Sequence, residues 1–126
     1  FMKDFRGGFA SEEENRATIK KIFEDTGYLI DTHTGVAASV YNHYKEETKD
    51  PAKTVIVSTA SPYKFSGSVL EAIDGVRPEE DVDRLAELSG VAIPQAVEEI
   101  RTAPVRHTAE CGIDQMQATV AGILSV

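Results

Sequence analysis

Two short stretches hold most of the side chains that can take part in chemistry. Asp31-Thr32-His33-Thr34-Gly35 is the densest polar cluster of the chain. A histidine there can exchange a proton near neutral pH or face a ligand. Asp31 or Thr32 can equally cap a helix, and Gly35 lets backbones approach closely. The second stretch is Ser58-Thr59-Ala60-Ser61-Pro62-Tyr63-Lys64-Phe65. Its hydroxyls either meet a ligand or cap the next helix. A hydroxyl at Thr59 suits a neutral ring nitrogen, which a carboxylate would instead protonate. Lys64 can meet a phosphate as a point charge, or it is a solvated turn lysine.

Other polar residues carry less. Arg6 in Phe5-Arg6-Gly7-Gly8-Phe9 can meet an anion, but a glycine pair is a weak signal. Cys111 lies four residues from His107 and has no adjacent base. His33, His43 and His107 follow no recognised zinc spacing, so no metal site is expected. Met116 reads as a core residue.

Several elements must position these groups. Ser11 and Glu14 have capping-box spacing and open a helix over 12–26, with Ile19, Ile22 and Phe23 on its inner stripe and Gly27 as its stop. A second helix carries Val36, Val40, Tyr41 and Tyr44 on one face and closes at Asp50-Pro51. The uncharged run 54–59 reads as a strand buried on both faces, as in a parallel sheet. Ser66 or Ser68 caps a helix holding Val69, Leu70 and Ile73, ended by Gly75. Pro78-Glu79-Glu80 opens another, with Val82, Leu85 and Ala86 inside and Gly90 as its stop. A short helix follows Pro94 and carries Ile93, Val97 and Ile100 on one side. The last segment aligns Ile113, Met116, Val120, Ile123 and Leu124 on one helical face. Helix, strand, helix is an α/β rhythm. One strand cannot form a sheet alone, so the pattern points to a piece of a larger chain. Phe1 ahead of Met2 fits a tag scar or a cut point.

The 126 residues suffice for one domain with a modest core. Lys and Arg total 13 against 21 Asp and Glu, a formal charge of −8. That balance disfavours a bare nucleic-acid or anionic-membrane surface. No apolar run approaches the roughly 20 residues of a membrane span. A single cysteine excludes an internal disulfide and fits a cytoplasmic setting.

The polar stretches together resemble a known family. Gly27-Tyr28-Leu29-Ile30-Asp31-Thr32-His33-Thr34-Gly35-Val36-Ala37 is similar to the threonine synthase segment GYLIDPHTAVA. The run 57–65 resembles that family's STA-(S/H)-P-x-KF, and Phe9-Ala10-Ser11-Glu12-Glu13-Glu14 resembles its ASEEE/T helix start. The likeness runs in order over about residues 5–75. Thr32 stands where the pattern commonly has proline, and Gly35 where it commonly has alanine; both changes are expected to loosen the turn and helix start.

The resemblance implies the C-terminal part of a tryptophan-synthase-β-like fold, mostly helical with the buried strand 54–59. All of residues 1–126 would then be one fragment of a catalytic domain dependent on pyridoxal 5'-phosphate. The family converts O-phosphohomoserine and water to threonine and phosphate. Its Schiff-base lysine and cofactor-phosphate loop lie earlier in the chain, so Lys64 is not that lysine and no catalytic residue is assigned. The resemblance puts Thr59, with Ser58, near the pyridine nitrogen of the cofactor. Ser61, Lys64 and His33 become substrate-side or supporting residues. The fragment alone is expected to be inactive, to partner the N-terminal part of the same enzyme, and to self-associate through exposed surface. Two alternatives stay open: a stand-alone interaction domain without catalysis, and part of a serine or threonine dehydratase-like enzyme.

Overall fold

The computed structural model describes residues 4–76, 79 and 81–125. The Phe1-Met2 junction and the helix start at Pro78 and Glu80 lie outside the described residues. Six α-helices follow in order: α1 Glu12–Thr26, α2 Thr32–Thr48, α3 Ser66–Asp74, α4 Val82–Ser89, α5 Gln95–Thr102 and α6 Met116–Leu124. Single 3-10 turns at Pro62–Phe65 and Ile113–Gln115 precede α3 and α6.

The helix ends follow local chemistry. The Ser11 hydroxyl accepts from the Glu14 amide, and the Glu14 carboxylate accepts from the Ser11 amide, the reciprocal capping box. Gly27 closes α1 at φ 70°, a left-handed conformation that costs glycine little. Asp31, not Thr32, caps α2. Neither Ser66 nor Ser68 caps α3. The Pro62–Phe65 turn, capped by Ser61, runs straight into Ser66, so α3 starts from an already wound backbone. Asp81 caps α4 by accepting from the Arg84 amide.

α1 packs against both α2 and α3, and α3 against α4. Between them Ile19, Leu29, Ile30, Tyr63, Val69, Leu70, Ala72 and Leu85 form the core, flanked by Ile22, Phe23, Ile73, Val82, Ala86, Ile93 and Val97. The Tyr63 hydroxyl donates to the Val91 carbonyl at 2.5 Å, which ties the turn before α3 to the loop after α4. Burying about eight apolar side chains is a modest driving force for a chain this long.

Three expectations are corrected. Residues 54–59 form no strand, and the described residues contain none at all. Val55 is 87% exposed and Val57 71%. A strand needs a laterally paired neighbour, and nothing in the described chain supplies one. The α/β expectation is therefore met only in its helical part. Met116 is not core, because Ile113 in the preceding turn and Met116, Val120, Ile123 and Leu124 on α6 are each more than half exposed. Ile100 also points outward, although Ile93 and Val97 of the same stripe join the core flank.

Candidate functional site

Asp31 is the hub of the polar cluster. It is fully buried, yet every interaction it makes suits a charged carboxylate. One oxygen, Oδ2, accepts from the His33 amide at 2.9 Å and from His33 Nδ1 at 2.8 Å. The other accepts from the Thr34 amide at 3.1 Å and from the Thr34 hydroxyl. Burial pushes the Asp31 carboxyl up, but the Thr34 hydroxyl and the His33 amide and ring, with the Thr34 amide, outweigh it and hold it below the ordinary carboxylate range. The local sequence dictates this arrangement. An aspartate before a helix reaches the free amides of its first turn, and those amides here belong to His33 and Thr34.

The cluster extends to the second stretch. Thr34 Oγ1 lies 3.0 Å from Ser58 Oγ. The single Thr34 hydroxyl proton goes to Asp31, which can only accept, so Ser58 donates to Thr34. The His33 ring packs against Phe65 at 5.5 Å between centroids, tilted by 45°. Lys64 Nζ lies over the same Phe65 ring at 5.3 Å. The fold thus gathers His33, Ser58 and Lys64 around Asp31, Thr34 and Phe65.

The other two named residues stand apart. Ser61 accepts from the Tyr63 amide at 3.3 Å and serves as the turn cap. Thr59 is exposed, and its side chain makes no hydrogen bond among the described residues. Sequence reasoning missed the linking role of Thr34. Its signal was present in the Asp-x-His-Thr spacing, which places residue 34 at the third helical position facing its own cap.

His33 borders a cleft of about 500 Å3 between the first turns of α1 and α3, with Asn15, Arg16, Ser68 and Glu71 among its walls. Arg16 pairs with Glu71 at 3.7 Å. Gly35 is tightly packed. A Cβ there would stand 2.2 Å from Asn15 Oδ1 and 2.8 Å from Ile19 Cγ1. That Asn15 oxygen is buried and accepts no hydrogen bond among the described residues.

A larger cleft of about 850 Å3 runs between α2 and residues 54–57, lined by Val40, Tyr41, Tyr44 and Arg6. Arg6 pairs with Glu47 and stacks over Tyr44 at 5.3 Å, so its charge is already met within the chain. Cys111 is exposed. Among the described residues no three histidine, cysteine or acidic side chains approach closely enough to hold a metal, and no helix is long and apolar enough to cross a membrane.

The described fold is a helical unit in which a buried aspartate caps α2 beside His33 and Thr34, and Thr34 is hydrogen-bonded to the downstream Ser58. The family described as "Threonine synthase, C-terminal" matches residues 34–110, and the chain belongs to that family. The chain is 41% identical over 68 residues to threonine synthase of Schizosaccharomyces pombe, covering 53% of this chain and 13% of that protein. It is 35% identical over 78 residues to threonine synthase of Saccharomyces cerevisiae, covering 58% and 15%. Threonine synthase-like 1 of Homo sapiens is 32% identical over 72 residues, covering 57% and 9%. The matched region thus spans less than a sixth of these relatives. No solved structure matches.

Proposed function

We propose that this chain is the C-terminal part of a threonine synthase that uses pyridoxal 5'-phosphate to convert O-phosphohomoserine and water to threonine and phosphate. The observation that carries this reading is the family match over residues 34–110, which includes Ser58, Thr59, Ser61 and Lys64. The relatives named threonine synthase support it. By itself the chain lacks the Schiff-base lysine and is inactive; the preceding part of the same polypeptide is its partner, and the setting is cytoplasmic.

The residues present fit the cofactor chemically. The Thr59 hydroxyl is exposed and uncommitted among the described residues, and it can meet a neutral pyridine nitrogen without protonating it. Bound pyridoxal 5'-phosphate supplies an electron sink. Ser58, hydrogen-bonded to Thr34, is the sequence neighbour of Thr59. Lys64 Nζ, resting over Phe65, is available to the phosphate of the substrate. His33 borders the same region from the start of α2.

The test is the mass of the gene product in unprocessed extract, probed with an antibody against residues 111–126. The expected band lies several-fold above 13.7 kDa, and that longer protein should form threonine from O-phosphohomoserine. A band at 13.7 kDa, with no threonine formed, would replace this reading with that of a binding domain.

A further inference from the structure

We propose that Asp31 and His33 are a proton-carrying pair, with Asp31 the positioning residue and His33 Nε2 the atom that exchanges a proton with water in the adjoining cleft. Asp31 is fully buried and accepts from four donors, so it is held as a carboxylate that can only accept. Its contact with His33 Nδ1 at 2.8 Å therefore places the imidazole proton on Nδ1. Neutral imidazole then has a bare lone pair on Nε2.

Two constraints fix the ring. The carboxylate holds one edge, and Phe65 packs on it at 5.5 Å. Nε2 has no hydrogen-bond partner among the described residues, and the side chain is 57% exposed at the wall of the 500 Å3 cleft. The other titratable groups there are Glu12 and the Arg16–Glu71 pair. Among the described groups lining the cleft, His33 is the imidazole, and the Asp31 carboxylate stands behind it.

The inference rests on the synthase reading for its chemistry. In that reaction phosphate departs from the γ carbon with its bonding electrons, the γ carbon gains a proton in place of the one the β carbon loses, and water joins the β carbon. As the water oxygen bonds to carbon, one O–H bond breaks and the proton passes to Nε2. The resulting imidazolium carries a proton on each nitrogen, and Asp31 balances its charge. The proton then returns to water or to the departing phosphate, which restores the starting state.

Two measurements decide it. Two-bond 1H–15N correlation on this chain, followed upward in pH until the ring is neutral, should show His33 protonated at Nδ1 and bare at Nε2; the opposite tautomer overturns the pair. In the longer synthase, His33→Gln should lower kcat about 100-fold, with KM for O-phosphohomoserine changed by less than about twofold. Asp31→Asn, which keeps a good capping residue, should lower kcat by roughly tenfold or more with the same split. Unchanged kcat in both variants overturns the proposal. Failure of the unaltered longer protein to form threonine overturns the synthase reading and, with it, the catalytic assignment of this pair. The tautomer then separates a fixed Asp31–His33 geometry from a wrong one.

Discussion

Asp31–Thr34 and Thr54–Thr59 are similar in length and carry the two halves of the candidate site, yet they settle in opposite ways. The first closes on itself. Its carboxylate, two amides, one hydroxyl and one imidazole are mutual partners within four residues, and the aspartate disappears from solvent. The second leaves Val55 and Val57 in water and makes no ladder. The difference teaches that a cap is satisfied by its own helix, whereas a strand is satisfied only by another segment. Thr34–Ser58 is the one hydrogen bond that joins the two stretches.

The largest effect is expected from removing the hub. Asp31→Ala deletes the cap and strands the Thr34 hydroxyl and two amides, which should cost about 3 kcal/mol in urea unfolding. A loss below about 0.5 kcal/mol would show that the first stretch is no more self-sufficient than the second.

Acid should act through the same carboxylate. Its folded pKa is depressed, so its contribution is complete above the ordinary aspartate range, near about 3.9, and disappears as pH falls through the lower folded value. Glu14 and Asp50 are also depressed, Glu14 chiefly by the Ser11 amide and Asp50 chiefly by the Tyr44 hydroxyl. The comparison that isolates Asp31 is therefore the urea midpoint of the unaltered chain and of Asp31→Asn, from pH 7 down to pH 3. The unaltered chain should lose more. Parallel curves would remove Asp31 from the acid response.

Gly35→Ala comes next. The added Cβ meets Asn15 Oδ1 and the Ile19 side chain, and overpacking of this kind costs about 1–3 kcal/mol. Asn15→Ala combined with Gly35→Ala should recover much of that loss, because the second change empties the space the first one fills. Simple additivity in urea unfolding would mean that α1 and α2 adjust independently at this crossing.

These cases show what the sequence makes legible. α1 was readable to the residue, because Ser11, Glu14 and Gly27 act on their own helix. The cap of α2 was readable to within Asp31 or Thr32 for the same reason, and the structure selects Asp31. The Thr34–Asp31 contact was signalled by the Asp-x-His-Thr spacing, but the link from Thr34 to Ser58 was not, because it depends on where Ser58 arrives in space. The strand was misread because a run such as Val55-Ile56-Val57 reports only its readiness to pair. Met116 was misread in the same manner: the stripe on α6 is real, but a stripe becomes core only where another surface meets it. The packing of Gly35 against Asn15 was hidden by their 20-residue separation.

The smallest expected effect is the sharpest test of the contrast. Val55→Thr together with Val57→Thr keeps side-chain shape and β-propensity while adding two hydroxyls. In this chain both positions face water, so unfolding free energy should change by less than about 0.5 kcal/mol. If a longer protein carrying this stretch pairs and covers it as a strand, the same double change there buries hydroxyls in apolar surroundings and should cost about 1–3 kcal/mol for each. A small effect in both proteins would leave 54–59 as an exposed connection wherever it occurs. A large effect in this chain alone would mean that the two valines are already covered in solution, and the self-association expected of an uncovered segment would be the contact to measure, by the dependence of sedimentation on concentration.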